Sequence, residues 1–287
     1  MKTFFSLDEN FDTIIKKSLN DKEIKSIIPV TTGWTNIVYE VSTNDGNYFF
    51  RFPRDDFWIK TIVKDCEFSN YIHNKTGFPT VLLKQSYDNN RPFSIHKKIE
   101  GTCLANVMND LSPDQIKQVS YEISDFMYQL HSLDFEKNKI FKANNIGLNL
   151  VDFLNELIEN HLSDNDKKFW KYDEFSKKDN SCLVHGDLNS SNIILDEDCH
   201  ISAVIDFGFG GFGNKYFDIA RIIGRLPKEY KSEIIDSYER VSNSKLDIGI
   251  LNNEIKIWEN IDNGYINYMK SIGIKWFLCF FLCLWFY

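Results

Sequence analysis

The sequence has few of the residues that interrupt regular structure, since its 287 residues include only 6 Pro and 14 Gly. This excludes a collagen-like or Pro/Gly-rich disordered chain. The 6 Cys form no CxxC pair and no Cys/His cluster with zinc spacing, so we expect reduced thiols and no zinc module. A chain that is 43% hydrophobic and of this length can bury a sizeable core.

Positive charge and long apolar runs are also lacking. The 33 Lys and Arg against 41 Asp and Glu give a net charge of −8, which disfavours nucleic acid and favours a cationic small molecule as partner. The start of the chain lacks a signal peptide's apolar run. The apolar run 276–287 falls short of the roughly 18 residues that a bilayer span needs. We expect a cytoplasmic monomer or weak dimer that does not enter a membrane. The apolar run is then a buried helix or a reading-frame artefact, with peripheral membrane contact as the alternative.

The first 95 or so residues show mainly strand patterns. Asn44-Asp45-Gly46-Asn47 is a hairpin turn signal before the aromatic strand 48–52. Apolar positions at helical spacing predict a helix over 58–74. Strands are further predicted at 81–83 and 93–95. The predicted order is strand, strand, strand, helix, strand, strand.

The pattern changes after Gly101. Ser112-Pro113 is a helix start, and helical periodicity then runs to about His131. A second helix is predicted over 150–162, and only 181–206 has strand character. These patterns predict an α+β fold of two lobes, a small β-rich one and a larger, mainly helical one. The predicted division is residues 1–96, a hinge at 97–101, and residues 102–287.

The segment 181–208, SCLVHGDLNSSNIILDEDCHISAVIDFG, contains two short apolar strands around an acidic turn. Folding this hairpin brings Asp187, Asn192 and Asp206 together. Phosphoryl transfer uses such a set: Mg²⁺ takes Asp and Asn oxygens as ligands, and a second Asp accepts the acceptor's proton. The spacing fits the kinase pattern of H-x-D, four residues, Asn, and then D-F-G. The alternative is a polar turn before a buried strand, but both motifs in the right order make chance a poor explanation.

The stretches LVHGDLNSSNIIL, VIDFG and KYFDIARI resemble the aminoglycoside phosphotransferase family, relatives of the protein kinases. The resemblance implies a bilobal protein-kinase-like fold, with ATP or GTP as donor and a cationic aminoglycoside as acceptor. It implies that Asp187 is the catalytic base and that Asn192 and Asp206 bind Mg²⁺. By the same resemblance His185 supports the loop, and Asp218 either braces it or caps a helix.

The nucleotide side departs from the family pattern. Thr32, Gly33 and Thr35 form the candidate phosphate-covering turn. The strand that resembles the family's lysine-bearing strand carries Arg51, whose planar fork differs from an ammonium group. Glu67 is its expected partner on the following helix.

Two alternatives to Arg51 as the phosphate-binding residue remain. In the first, Arg51 is only an exposed charge on an edge strand. In the second, Lys60 or Lys64 binds the phosphates in its place. In the segment that resembles the family's hinge, the backbone of Lys97 and Ile99 is expected to bind the base.

The acceptor is expected near residues 254–268, where carboxylates and aromatic rings suit a polycation with sugar rings. The candidate substrate-binding residues, beside Asp187 itself, are Glu254, Trp258, Glu259, Asp262 and Tyr265. The alternative is a solvated helix face over core aromatics. The FRFP strand and the length resemble the branch acting on the 2″-hydroxyl. Rival functions are a macrolide, choline, sugar or homoserine kinase, or a non-catalytic nucleotide-binding pseudokinase.

Residues 208–213 also match G-x-G-x-x-G after a strand. A dinucleotide site requires a helix that begins within the glycines. Because Asn214-Lys215-Tyr216 intervenes, we expect no dinucleotide fold, and we interpret the segment as a mobile loop after D-F-G.

Overall fold

The computed structural model describes residues 5–6, 9–20, 22–30, 35–133, 155–156, 159 and 182–271, with side chains in the last helix up to residue 259. The apolar run 276–287 and nearly all of the predicted helix 150–162 lie outside the described residues. The chain divides into two compact units: Met1–Gly101 with Ser202–Phe209, and Thr102–Ile201 with Gly210–Tyr287. Within the described part, no helix has the combination of length and apolarity that crossing a bilayer demands.

In its described residues, the first unit contains a five-stranded antiparallel sheet of order β1-β2-β3-β5-β4 and two helices. Its elements in chain order are α1 (Phe11–Ser18), β1 (Ile24–Val30), β2 (Asn36–Thr43), β3 (Gly46–Pro53), α2 (Asp56–Thr76), β4 (Lys84–Asp88) and β5 (Arg91–Lys97). From β1 to β5 the elements follow the predicted order of three strands, a helix and two strands, but the fourth strand is Lys84–Asp88 and not the predicted segment 81–83. Helix α1 was not predicted, although the Asn10 cap and the buried Phe11, Ile14 and Ile15 at helical spacing were signals for it.

The β2–β3 hairpin sets the register of the sheet. Its two-residue turn is Asn44-Asp45, because Thr43 pairs with Gly46 across it. Gly46 has φ +132°, a left-handed conformation that glycine adopts without strain. This register places Arg51 in β3, the central strand, so the interpretation of Arg51 as an edge-strand charge is wrong.

The segment 81–83 is not the predicted strand. Its backbone groups bond to side chains of α2 instead of a neighbouring strand: Asn70 Nδ2 donates to the Leu83 carbonyl (2.8 Å), and Asn70 Oδ1 accepts from the Leu83 amide (2.9 Å). Ser69 Oγ donates to the Val81 carbonyl. Val81 and Leu83 are buried, so the apolar pattern marked burial and not sheet pairing.

The described residues of the second unit form helices and short strand pairs. Its helices are α3 (Leu104–Val107), α4 (Pro113–His131), α5 (Lys215–Ile223), α6 (Lys228–Ser242) and α7 (Ile248–Ser271). Its strand pairs are β6 (Thr102–Cys103) with β8 (Ile193–Leu195), and β7 (Cys182–Val184) with β10 (Gly211–Gly213). Helix α4 begins where predicted, since Ser112 and Gln115 form a reciprocal capping box.

Strand β9 (Ile201–Val204) leads the chain back to the first unit. Val204 N–H donates to the Pro79 carbonyl (3.0 Å), and Val204 forms a single parallel bridge with Thr80. The segment that carries Asp206 therefore belongs to the first unit.

The G-x-G-x-x-G segment holds no dinucleotide-type turn. Phe207–Phe209 forms a 3₁₀ turn, Gly211–Gly213 is β10, and α5 begins only at Lys215 with Asn214 as its cap. The expectation of a mobile loop is wrong for Gly211–Gly213, because this stretch pairs with β7.

Candidate active site

In the loop after β7, two asparagine side chains donate hydrogen bonds to the same backbone carbonyl group. The Asp187 carbonyl accepts from Asn189 Nδ2 (3.0 Å) and from Asn192 Nδ2 (2.9 Å). Gly186 has φ +83°, which permits the sharp turn. His185 is fully buried, and its Nδ1 accepts from the Asp187 amide at 3.2 Å. His185 therefore supports the loop.

The loop presents two oxygen atoms that no donor in the described part of the chain engages. Because Asn192 donates its amide N–H to the Asp187 carbonyl, its Oδ1 points elsewhere and carries no hydrogen bond from these residues. The Asp187 carboxylate binds Arg221 only through Oδ1, at 2.9 Å from Nε and 2.8 Å from Nη2. The Asp187 side chain is 27% exposed, and its Oδ2 has no hydrogen-bond donor among the described residues.

Helix α5 supports this loop through the side chain of Asp218. Asp218 is fully buried and accepts from the His185 amide (2.7 Å) and the Gly186 amide (3.0 Å). The interpretation of Asp218 as a helix cap is wrong, because the cap of α5 is Asn214. Asp218 braces the backbone that carries Asp187.

His131 is a further member of this site that the sequence analysis missed. Burial raises the pKa of Tyr238, and its hydroxyl group lies 2.9 Å from His131 Nδ1. His131 Nε2 lies 3.3 Å from Asp218 Oδ2, so the imidazole ring links Tyr238 to Asp218. The sequence correctly placed His131 at the end of α4, but it gave no indication that His131 contacts Tyr238 and Asp218.

In the first unit, Arg51 lies between two carboxylates. Its Nη1 pairs with Asp65 Oδ2, and its Nη2 lies 2.9 Å from Asp206 Oδ1. Asp65 is 1% exposed, and its Oδ1 accepts from the Phe207 amide at 2.8 Å. Burial lowers the pKa of Arg51, but the carboxylates of Asp206 and Asp65 outweigh this and raise it above its usual range.

The expected Arg51–Glu67 pair is wrong, since the helix residue that pairs with Arg51 is Asp65. Two residues along an α-helix correspond to a rotation of about 200°. Asp65 and Glu67 therefore occupy nearly opposite faces of α2, and Asp65 is on the face toward β3. Asp206 has φ +67°, a conformation that Asp tolerates better than most residues.

The candidate nucleotide turn and hinge are described in part. Thr32 and Gly33 lie outside the described residues, and Thr35 is partly buried, with its carbonyl accepting from the Arg54 amide at 3.1 Å. The Lys97 carbonyl lies 2.9 Å from His96 Nδ1. Burial lowers the pKa of His96 to about 4, so its neutral ring donates from Nδ1. Ile99 packs against a small apolar cluster that includes Cys66.

The candidate substrate residues separate into three groups. Glu254 and Trp258 are 2% and 5% exposed, so their interpretation as direct substrate contacts is wrong. The Trp258 ring instead lies 4.1 Å from the Arg221 guanidinium, and its Nε1 donates to the Phe217 carbonyl at 3.1 Å. Glu259 is exposed. The side chains of Asp262 and Tyr265 lie outside the described residues.

A family model described as the phosphotransferase enzyme family matches residues 26–246 of this chain. The chain belongs to this family. The resemblance seen in the motifs is thereby confirmed.

Solved structures share the fold of this phosphotransferase. The GDP and kanamycin complex of APH(2″)-IIIa has a TM-score of 0.71 at 14% identity and covers 95% of each chain. The gentamicin complex of APH(2″)-IIa has a TM-score of 0.63 at 18% identity and covers 98% of this chain and 96% of the other. A type VIII aminoglycoside 3′-phosphotransferase has a TM-score of 0.61 at 14% identity and covers 88% and 97%. These similarities confirm the predicted α+β, kinase-like fold class.

The reaction class of this phosphotransferase implies Mg²⁺, and the candidate ligands fit it in type. Asn192 Oδ1 is an amide oxygen without a donor in the described part. Asp206 binds Arg51 through Oδ1 alone, and its side chain is 46% exposed. The described residues contain no cluster of three or more His, Cys, Asp or Glu side chains that would hold a metal.

Proposed function

We propose that this phosphotransferase transfers the γ-phosphoryl group of ATP or GTP to a hydroxyl group of a cationic aminoglycoside, with the 2″-hydroxyl as the first candidate acceptor. The Asp187 carboxylate carries the proposal: one oxygen is fixed by Arg221 and the other is open to an incoming hydroxyl group. Two structures of similar fold are named as kanamycin and gentamicin complexes of APH(2″) enzymes. The net charge of −8 also favours a polycationic acceptor.

In this proposal Asp187 is the catalytic base. The acceptor O–H proton passes to Asp187 Oδ2 while the acceptor oxygen forms a bond to the γ-phosphorus. The bond between that phosphorus and the β–γ bridging oxygen breaks, and the nucleoside diphosphate leaves. General-base assistance of this kind contributes typically 10²–10⁴-fold to a rate.

The donor's charge requires compensation. Asn192 and Asp206 would hold Mg²⁺, which when bound neutralises charge on the phosphate oxygens. Arg51 would contact the phosphates, held in place by Asp65 in the role first given to Glu67. The backbone of Lys97 and Ile99 would bind the base. On the acceptor side, exposed Glu259 would contact the cationic substrate, as would Asp262 and Tyr265, the two candidates whose side chains are not described.

The test is a substrate panel with the purified full chain. ATP and GTP are each offered with Mg²⁺ and with kanamycin, gentamicin, a macrolide, choline or homoserine, and nucleoside diphosphate release is measured. We expect turnover with an aminoglycoside, product mass increased by one phosphoryl group, and NMR assignment of the modified hydroxyl to the 2″ position. A 3′ product would revise the position while leaving the reaction in place.

The matched control is Asp187→Asn, which keeps the shape of the side chain but removes its basicity. We expect this variant to lose at least about 10²-fold in kcat while still binding nucleotide. Turnover with choline, homoserine or a macrolide alone would establish the rival metabolic or macrolide kinase. Nucleotide binding without turnover of any acceptor would establish the pseudokinase.

A further inference from the structure

Arg221 makes the side-chain contact that fixes the Asp187 carboxylate, and the sequence analysis gave it no role. Its Nε and Nη2 both bond to the same oxygen, Oδ1, at 2.9 and 2.8 Å. We propose that Arg221 is a positioning residue: it orients the Asp187 carboxylate so that Oδ2 faces the acceptor hydroxyl. This inference rests on the proposed function, in which Asp187 is the base.

The geometry of the contact supports orientation over simple charge balance. The terminal torsion of an Asp side chain is broad and roughly two-fold, so an unheld carboxylate exchanges its two oxygens. The hydrogen bond from Nε and the ion-pair contact from Nη2, both to Oδ1, oppose that rotation. An arginine that bonded each oxygen once would occupy both, whereas this arrangement leaves Oδ2 without a donor in the described part of the chain.

Arg221 is itself held in place. It is 8% exposed, and its guanidinium lies 4.1 Å from the centre of the Trp258 ring. The Trp258 indole is anchored by its hydrogen bond to the Phe217 carbonyl. Stacking of a guanidinium on an aromatic face restricts its motion, so little conformational freedom is lost when it binds a carboxylate.

Helix α5 therefore holds the loop at two points one turn apart. Asp218 binds the backbone amides of His185 and Gly186, and Arg221 binds the side chain that follows them. Residues at i and i+3 lie on the same face of a helix. One rigid element thus sets both the position of the loop and the orientation of its carboxylate.

The test compares Arg221→Gln, Arg221→Ala and Arg221→Lys with the parent chain on the aminoglycoside that it turns over. Misplacement of a catalytic group by about 1 Å can cost 10²-fold, so we expect kcat to fall about 10- to 100-fold in the Gln variant. KM for acceptor and nucleotide should change less than about threefold, because Arg221 is not expected to touch either one. Lys, which lacks the fork, should restore only part of the loss.

Chemical rescue separates positioning from a general structural role. Added guanidinium ion should raise kcat of Arg221→Ala, while neutral urea at the same concentration should not. Absence of rescue in Arg221→Ala that still binds nucleotide would overturn the proposal, as would a rise in KM with unchanged kcat.

A double-variant cycle tests whether Arg221 acts through Asp187. In an Asp187→Asn background, Arg221→Gln should cause no further loss of kcat, and a fully additive loss would overturn the proposal. If Asp187→Asn alone keeps near-normal kcat, the proposed base is wrong, and this outcome is distinct from failure of the Arg221 inference.

Trp258 supplies a second route if the Arg221 variants do not fold. Trp258→Phe keeps an aromatic face for the guanidinium, and Trp258→Leu removes it. We expect Leu to lower kcat several-fold more than Phe, and equal kcat in these two folded variants would count against the proposal.

Discussion

The Arg51–Asp65 pair is predicted to be the electrostatic contact on which the first unit most depends. Asp65 is 1% exposed, and the Arg51 side chain is 15% exposed. Replacing Arg51 with Met keeps most of the volume but leaves a buried carboxylate without its cation. Breaking a buried pair in this way costs about 3–5 kcal/mol. The Arg51–Asp206 contact should add little, because Asp206 is 46% exposed and water can replace the arginine there.

The companion variant removes both charges. Arg51→Met with Asp65→Asn removes both charges of this pair, and the Asn side chain can still accept the hydrogen bond from the Phe207 amide. We expect this double variant to recover to within about 1–2 kcal/mol of the parent, since an ion pair replaced as a whole is often nearly neutral. The matched surface control is Lys98→Met, which breaks the exposed pair with Glu40 (2.7 Å) and should cost less than about 1 kcal/mol.

The assay is native-state hydrogen exchange followed by mass spectrometry, read on peptides of β3 and β5. A chain of two units need not unfold in a single step, and exchange reports local stability. A loss of about 3 kcal/mol should speed exchange in these strands on the order of 10²-fold, because each 1.4 kcal/mol is a factor of ten. A double variant that exchanges as fast as Arg51→Met, or faster, would refute the reasoning.

The pH dependence of Arg51→Met gives an independent check on the same pair. Burial raises the pKa of Asp65, and Arg51 opposes that rise. Without Arg51 the folded-state pKa rises further above its unfolded value, so the folded variant binds a proton more tightly than the unfolded chain does. The stability difference from the parent should therefore shrink as the pH falls from 8 toward 5. A difference that grows on acidification would show that Asp65 is not the group left unpaired.

Two further predictions concern the loop and the metal. His131→Gln places an amide nitrogen near the Nε2 position that faces Asp218, whereas His131→Asn places one near Nδ1, which faces Tyr238. We expect kcat of the Gln variant to be closer to that of the parent. If kcat of the Asn variant is closer instead, the important contact is the one with Tyr238. Asp206→Asn should weaken Mg²⁺-dependent nucleotide binding about tenfold or more, measured by titration calorimetry at several Mg²⁺ concentrations, and an unchanged Mg²⁺ titration would remove Asp206 from the metal site.

Much of the first unit could be predicted from the sequence because its signals are local. The turn residues Asn44-Asp45 and the following Gly46 specify a hairpin by themselves, and the hairpin then fixes the register of β3. The prediction of a strand at 81–83 was wrong because the deciding signal there is not local. Apolar residues there are buried, but whether a buried extended segment pairs with a strand or with the side chains of α2 depends on the neighbour, which the pattern does not contain.

The partner of Arg51 shows a second limit of the sequence. Helical periodicity places Asp65 and Glu67 on nearly opposite faces of α2. From the sequence, therefore, only one of these two carboxylates can face Arg51, but the sequence does not say which. The face that packs on β3 is decided by tertiary contacts, and the Phe207 amide that also binds Asp65 comes from 142 positions further along the chain. No local rule links those two segments.

The substrate-side errors have the same cause, and they explain the role of Trp258. Sequence alone shows Glu254 and Trp258 four positions apart, at helical spacing, and Glu259 next to Trp258. This mixture of acids and an aromatic ring suits a binding face and a buried face equally well. The structure buries Glu254 and Trp258 and exposes Glu259, so α7 has a buried side and an exposed side within this short stretch. The aromatic ring expected to contact a cationic substrate contacts the cation of Arg221 instead. The sequence thus indicated an aromatic face for a positive charge, and Trp258 does face one. In this structure the charge is the guanidinium of Arg221, the residue proposed to orient Asp187.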